Sequence, residues 1–440
     1  MKKKRVLVLC HDVVGSKMAG PGIRYKNVAR VLKQVSDVDL AVFSGASHNS
    51  SDDIKIINPE DRSYQSIFTE YDVIFAQWLS NDMLSFAKQQ NIIVIFDLYA
   101  PVPIEYLASL EFSEKKVGET ANAEFSNIIE MYNRYFDTAD YFTCSNERQR
   151  DFWIGYLTAN GKLTPTNFSN GSAATKLAVC PMGINKTSPR KNNLALRKKL
   201  GLSKDDFVLL WTGGIWDWFD AQLVVRAMSK IKDSSIKLVF MGTKHPNDTV
   251  SEMQESKKTR RLSHDLGLTD KSIFFLDGWV PYEDLDSYLL DANASIYCDK
   301  ESLETRFSHR TRVLDNIWAT LPTVCSKGDF LSFIIEQQGL GVVVQQRNED
   351  SFAKVILDLK NDVSLQEQIH KNLVAKRENF SWEITLDPLV KYIRDTPFRS
   401  KSTPLHQHTT PINNSTPRRT STKRRIKNSV KVLLGRIDVA

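Results

Sequence analysis

The sequence lacks a hydrophobic run long enough to cross a membrane, and it has few cysteines. No stretch approaches the roughly twenty apolar residues that a spanning helix requires. The first apolar run, residues 6–10, is too short for a signal peptide. The five cysteines are scattered, with no C-x-x-C, which argues against a zinc site and a disulfide framework. These absences favour a reducing, cytoplasmic location.

The net charge of +7 is confined to the C-terminal end. From Arg399 onward there are ten Lys or Arg and one Asp, which gives +9 and leaves −2 for the rest (49 basic against 51 acidic residues). Residues 398–440 are rich in Ser, Thr, Pro and basic residues, so we expect a disordered tail. Its end, residues 423–440, has the pattern of a basic amphipathic helix for an anionic membrane surface or a protein partner. The tail has no aromatics interleaved with its charges beyond Phe398, so we expect no nucleic acid partner.

At 440 residues the chain is long enough for two or three domains. Short apolar runs alternate with helical patterns, which predicts parallel sheets covered by helices. The predicted strands are residues 5–10, 38–43, 73–78, 92–96, 141–145, 177–180, 207–212, 237–242, 273–276, 294–297, 323–325 and 340–344. The predicted fold class is α/β, with two tandem doubly wound (Rossmann-like) domains facing a cleft. We expect domains at residues 1–187 and 188–380, a returning helix at 381–397, and the tail at 398–440.

The stretch ETRFSHRTRVLDNIWATLPTVCSKGD, residues 304–329, carries the clearest chemical pattern. Arg312 and Asp315 lie three residues apart at the start of a predicted helix, so they share a face. One cation and one carboxylate on such a face can bind a diphosphate and a sugar hydroxyl together. The alternative is a surface ion pair of little consequence.

A second candidate anion site follows the first strand of the second domain, in WTGGIWDWFD. Gly213 and Gly214 allow backbone N–H groups to approach a ligand; plain turn chemistry is the alternative. No G-K-[ST] follows, so the turn is not a P-loop, and it is not the G-x-G-x-x-G of hydride-transfer enzymes. The turn and the Arg/Asp helix could converge on one diphosphate at the mouth of the sheet.

These residues resemble the nucleotide-sugar domain of retaining glycosyltransferases with the GT-B fold, of the bacterial family-four type (glycosyl transferases group 1). That family has two glutamates separated by seven residues, followed by A-x-x-G-x-P-V-V. Asp315 stands where the second glutamate holds the ribose hydroxyls, and Arg312 where many members place a Lys or Arg against the diphosphate. A subgroup with the motifs ETRFS-x-R-T-R-x-LD and GGIW-x-WFD resembles this chain along most of residues 1–395. MGTKHPN, GWVPY and CSNERQRDFW also resemble that subgroup.

The sequence departs from the family pattern at three places. Phe307 stands at the first glutamate, Thr320 replaces the usual glycine before the proline, and the basic residue that often follows the Gly-Gly turn is missing. We interpret Glu304 and Arg310 as substitutes for the missing carboxylate and the missing phosphate contact.

Further candidates come from the loops at strand ends. The resemblance places Gly20 and Gly22 beside the phosphates of the sugar nucleotide, although a flexible turn would need the same glycines. Asp97 falls where relatives carry a catalytic-site histidine, and it either positions a sugar or caps a strand end. Trp216 lines the sugar site or belongs to the core. His245 is either an active-site or a structural residue, as is His11.

The predicted function is transfer of a sugar from a nucleotide-sugar donor to a saccharide or lipid-linked acceptor with retention, in cell-surface polysaccharide synthesis. Arg312, Asp97 and Glu304 are the predicted catalytic residues; the predicted sugar-donor contacts are Gly20, Gly22, Gly213, Gly214, Trp216, His245, Arg310 and Asp315. We expect no metal or cofactor, and a cytoplasmic protein peripheral on the inner face of the membrane. A nucleotide-sugar epimerase and a catalytically degenerate sugar-binding scaffold are the alternatives.

Overall fold

The computed structural model describes residues 2–16, 18–43, 54–112, 117–168, 176–190, 196–242, 252–276 and 278–400. Two parallel sheets with helices on both faces form two α/β domains in tandem, so the predicted fold class is confirmed for these residues. The basic tail after residue 400 and the membrane-binding helix predicted at 423–440 lie outside them. Among the described helices, none is long and apolar enough to span a membrane.

The N-terminal domain contains a seven-stranded sheet in the order β3-β2-β1-β4-β5-β6-β7. Its strands are β1 (Lys4–Cys10), β2 (Ser36–Val42), β3 (Lys55–Ile57), β4 (Val73–Ala76), β5 (Ile93–Asp97), β6 (Tyr141–Cys144) and β7 (Leu177–Val179). The helices are α1 (Gly20–Leu32), α2 (Tyr64–Phe68), α3 (Asn81–Gln89), α4 (Val102–Phe112), α5 (Glu119–Thr138), α6 (Glu147–Ala159) and α7 (Pro165–Phe168). The central strands are fully buried, as expected for parallel strands covered on both faces.

The C-terminal domain contains a six-stranded sheet in the order β10-β9-β8-β11-β12-β13. Its strands are β8 (Phe207–Gly214), β9 (Ile236–Gly242), β10 (Ile273–Phe275), β11 (Ala294–Tyr297), β12 (Thr323–Ser326) and β13 (Gly341–Val344). The helices are α8 (Leu196–Leu200), α9 (Ala221–Lys230), α10 (Gln254–Asp265), α11 (Leu285–Asp291), α12 (Leu303–Phe307), α13 (Arg312–Trp318), α14 (Phe330–Gln338), α15 (Glu349–Asn361) and α16 (Val363–Lys376). In both sheets the strand order reverses beside the first strand, which is where ligands bind in such folds.

The chain then returns to the N-terminal domain through α17 (Trp382–Thr385) and α18 (Asp387–Asp395). Ser381 forms a β-bridge with Ile184. The ring of Tyr392 stacks on Tyr141 at 3.8 Å, and Lys4 donates to the carbonyl oxygen of Ile393 at 2.8 Å. These contacts fix the last helix against the first sheet.

Candidate functional site

A cavity of about 320 Å³ lies between the two domains. Its N-terminal wall includes Asp12, Met18, Gly20 and Met182, beyond the carboxyl ends of β1 and β7. Its opposite wall is formed by the end of β8 and the start of α13, together with Trp279, Val280 and Tyr282. The cleft predicted at the carboxyl ends of the strands is therefore present, and both domains line it.

The glycine turn at the end of β8 forms one wall of this cavity. Gly213 has φ +75°, a left-handed conformation that favours glycine. A Cβ atom there would lie 3.8 Å from Nη2 of Arg312. At Gly214, a Cβ atom would lie 3.3 Å from Nε1 of Trp216. The two glycines therefore lie beside the Arg312 guanidinium and line the cavity, and their predicted contact with a sugar donor remains a prediction.

Arg312 is the best candidate for a ligand-binding cation in this cavity. It is only 9% exposed, and its Nη2 donates to the carbonyl oxygen of Gly214 at 2.7 Å. Its guanidinium lies 4.1 Å from the ring centroid of Phe219, whereas its buried Nη1 has no hydrogen-bond partner among the described residues. Burial, and then the charge of Arg310, lower the pKa of Arg312 to about 9. A buried cation with an unused donor would be stabilised by an anion.

Arg310 lies in a different electrostatic environment. Glu304 accepts two hydrogen bonds from its guanidinium, at 2.8 and 2.7 Å, and a carboxylate oxygen of Asp299 lies 2.8 Å from Nη2. Burial alone would lower the pKa of Arg310, but the charges of Asp299 and Glu304 raise it above its usual range. The structure therefore brings Glu304 and Arg310 together in a two-point ion pair. Their predicted roles toward a sugar donor remain predictions.

Asp315 lies one turn after Arg312 on α13, lines the same cavity and is partly exposed. Burial raises the pKa of its carboxyl group to about 7, although the nearby Arg312 charge lowers it. A carboxylate at this position can accept hydrogen bonds from hydroxyl groups of a ligand.

This raised pKa has a measurable consequence. The unfolded carboxyl has a pKa near 3.9, so between pH 4 and 7 the folded chain binds more protons at Asp315 and its stability falls as pH rises. Asparagine does not titrate. We therefore expect the melting temperature of Asp315→Asn, minus that of wild type, to increase from pH 5 to pH 8 in ligand-free protein. A difference that is constant with pH would contradict the raised pKa.

Asp97 lies at the end of β5 but lines neither this cavity nor the smaller one described below. It accepts hydrogen bonds from Nε and Nη2 of Arg24 at 2.5 and 2.7 Å, and from the Thr143 hydroxyl at 2.8 Å. Arg24 also donates to the carbonyl oxygen of Cys180 at 3.0 Å. Both charged side chains are fully buried. This geometry favours a structural ion pair that joins α1 to the sheet, and the catalytic role of Asp97 remains a prediction.

The remaining predicted site residues differ in whether they line a cavity. Gly20 lines the large cavity, whereas a Cβ atom at Gly22 would lie 2.1 Å from the carbonyl oxygen of Val13, so Gly22 is required by close packing. Trp216 stacks on Trp218 at 5.2 Å, and both rings line the cavity. His11 stacks on Phe43 at 4.3 Å. His245 lies outside the described residues.

A smaller cavity of about 170 Å³ adjoins the large one, and the sequence analysis missed most of its polar residues. Both cavities share Trp216, Trp218, Thr311 and Arg312. The missed residues are Glu105, Ser145, Gln149, Ser308 and His309. His309 could have been found from its position between the two arginines of S-H-R-T-R. Glu105 could not, because α4 has apolar residues on most of its surface and no helix was predicted there.

The start of α6 connects the two domains beside this cavity. Asn146 and Gln149 donate to the carbonyl oxygen of Phe307 at 3.3 and 2.9 Å. Arg148 donates to the carbonyl oxygens of Arg306 and Gly328 at 3.1 and 2.8 Å. The motif CSNERQRDFW therefore holds the loop that leads to Arg310 and Arg312.

Comparison with solved structures defines the class of fold. Anabaena HepE in complex with UDP and glucose aligns with a TM-score of 0.64 at 13% identity, covering 89% of this chain and 100% of that chain. Sucrose-phosphate synthase from Thermosynechococcus elongatus aligns with a TM-score of 0.62 at 17% identity, covering 89% and 99%. WaaG, a glycosyltransferase involved in lipopolysaccharide biosynthesis, aligns with a TM-score of 0.59 at 13% identity, covering 88% and 99%. The chain has the GT-B fold of these proteins.

A comparison with protein families gives a match in the C-terminal domain. Residues 192–374 match the family described as Glycosyl transferases group 1. The predicted resemblance to the glycosyl transferases group 1 is therefore confirmed for residues 192–374 of the C-terminal domain. No curated protein matches the chain.

Proposed function

We propose that the protein transfers a sugar from a nucleotide-sugar donor to a saccharide or lipid-linked acceptor, with retention of configuration and without a metal ion. The observation that carries the proposal is the buried Arg312 guanidinium, whose Nη1 has no hydrogen-bond partner in the part of the chain that the structure describes. It lies beside Gly213 and Gly214 in a cavity lined by both domains of a GT-B fold. HepE, one of the similar structures, was solved with UDP, with UDP-glucose and with UDP and glucose.

In this proposal, the positive charge of Arg312 and the backbone amides of the glycine turn stabilise the departing nucleoside diphosphate. Asp315 accepts hydrogen bonds from ribose hydroxyls. The acceptor hydroxyl attacks the anomeric carbon from the face that the diphosphate leaves, and its proton passes to a phosphate oxygen. Retention and the role in cell-surface polysaccharide synthesis rest on resemblance to the family. Metal independence rests on the charge that Arg312 provides.

A thermal-shift series tests the binding step. We expect one nucleoside diphosphate and its sugar nucleotides to stabilise wild type, by about 2.7 kcal/mol at one hundred times the dissociation constant. UDP and UDP-glucose are the first probes, followed by other bases. Arg312→Ala and Asp315→Ala should each abolish or greatly reduce the shift. Stabilisation that survives both substitutions, or no stabilisation by any nucleotide, would contradict the proposal.

The same set of nucleotides distinguishes a transferase from an epimerase and from a sugar-binding scaffold. A transferase releases nucleoside diphosphate faster when a suitable acceptor is present. An epimerase would release free nucleotide with no acceptor requirement, and a scaffold would bind the sugar nucleotide without consuming it.

A further inference from the structure

The smaller cavity has an unusual distribution of charge. Its walls carry two carboxylates, Glu105 and Glu304, and two guanidinium groups, Arg310 and Arg312. Arg310 is already paired with Glu304 and with Asp299 behind it. Arg312 also faces the large cavity, where the proposed diphosphate lies. No uncommitted cation therefore faces this cavity from its described lining once Arg312 has bound a diphosphate.

Glu105 is the carboxylate without a partner. Within the part of the chain that the structure describes, its carboxylate makes no hydrogen bond or ion pair, although it is partly buried. Burial, and then the charge of Glu304, raise the pKa of Glu105 to about 7. Above pH 7 the ionised Glu105 carboxylate accepts hydrogen bonds from hydroxyl groups, and a second negative charge beside it would be repelled.

His309 adds a neutral polar group to the same cavity. Both of its ring nitrogens are buried and lack hydrogen-bond partners within the described ranges. Burial, and then the charge of Arg24, lower the pKa of His309 to about 3, so the ring is neutral at physiological pH. The neutral ring can donate or accept a hydrogen bond, but it has no positive charge to balance that of a carboxylate. The stacked rings of Trp216 and Trp218 also line this cavity and add apolar surface to it.

We propose that the smaller cavity selects an uncharged sugar on the nucleotide and rejects a sugar that carries a carboxylate, with Glu105 as the specificity-determining residue. Hydroxyl groups of a neutral sugar would donate to Glu105 and use the unpartnered nitrogens of His309. A uronic sugar would place its carboxylate beside Glu105 and Glu304 with no free cation to balance it. The inference rests on the proposed function, because it assumes that Arg312 binds the diphosphate of the sugar nucleotide.

The test uses sugar nucleotides that differ only at carbon 6. UDP-glucose has a hydroxymethyl group where UDP-glucuronic acid has a carboxylate, and GDP-mannose with GDP-mannuronic acid forms the same pair on guanine. Dissociation constants are measured by calorimetry on the full chain at pH 8, where the Glu105 carboxylate is ionised. Within the pair whose base the protein recognises, we expect the neutral sugar nucleotide to bind at least ten times more tightly than the acidic one.

Glu105→Gln removes the charge at nearly constant shape. We expect this variant to reduce the neutral-to-acidic ratio at least threefold while the affinity for the free nucleoside diphosphate stays unchanged, which also shows that the variant is folded. Glu111→Gln is the matched control, because Glu111 lies on the same helix and is exposed; it should leave the ratio unchanged.

The possible failures are distinguishable. If the acidic compound binds as tightly as the neutral one, the selection is wrong while the proposed function stands. An unchanged ratio in Glu105→Gln would overturn the role of Glu105. If no sugar nucleotide binds, the proposed function fails and this inference fails with it.

Discussion

Arg312→Gln is expected to slow release of nucleoside diphosphate from the preferred sugar nucleotide by about 100- to 1,000-fold, the usual effect of removing one group that stabilises developing charge. The physical reason is the position of the guanidinium. It is buried beside the glycine turn, and one of its nitrogens has no hydrogen-bond partner among the residues that the structure describes. Glutamine keeps a polar group but removes the charge that would stabilise the leaving diphosphate.

The matched control is Arg306→Gln. Arg306 lies on the preceding helix, α12, and its side chain is exposed, so the rate should stay within about twofold of wild type. Thermal melts of both variants in the absence of ligand separate loss of function from loss of fold. A rate for Arg312→Gln within threefold of wild type would remove Arg312 from the proposed mechanism.

Asp97→Ala is expected to lower the free energy of unfolding by about 3–5 kcal/mol, because removing one partner of a buried ion pair leaves the other charge buried and unpaired. Arg24 is fully buried and makes its hydrogen bonds to Asp97 and the Cys180 carbonyl. The double variant with Arg24→Met should recover much of the loss, since it removes the orphaned charge. Urea titration followed by circular dichroism measures both effects.

An exposed pair provides the comparison. Asp387 and Lys391 form an ion pair at 2.6 Å on the surface of α18, and Asp387→Ala should cost less than about 1 kcal/mol. If Asp97→Ala stays as stable as wild type while its turnover collapses, the ion-pair interpretation is wrong and the catalytic role first predicted for Asp97 is restored.

The fold could be predicted from the sequence because parallel strands covered on both faces leave continuous apolar runs. The buried runs of β1 and β8 are examples. The strand that was missed, β3, is three residues long, lies at the sheet edge and has no buried residue. Helices α4 and α5 were missed as well, so the wall that carries Glu105 was absent from the predicted site.

The pairing of Glu304 with Arg310 could not be read from spacing. Six residues is not a helical interval for side-chain contact. The two groups meet because α12 ends at Phe307 and the chain turns before α13 begins at Arg312. The partner of Asp97 lies 73 residues earlier in the chain, and only the folded sheet brings the two side chains together.

The structure gives a physical reason for two of the departures from the family pattern. Thr320 has φ +53°, a left-handed conformation that is costly for a β-branched residue, which explains why glycine is usual there. Phe307 stands at the position of the missing glutamate, and its ring lies 5.3 Å from that of Phe152 across the domain interface. Its carbonyl oxygen receives the hydrogen bonds from Asn146 and Gln149. The position therefore serves domain contact in this chain.

The most direct test of the central claim is a crystal structure of the protein with the nucleoside diphosphate that stabilises it most. The account predicts that the phosphates lie in the cavity between the domains, within hydrogen-bonding distance of Nη1 of Arg312 and of the backbone amides at Gly213 and Gly214, with the ribose hydroxyls against Asp315. A nucleotide bound outside this cavity, or one whose phosphates make no contact with Arg312, would contradict it.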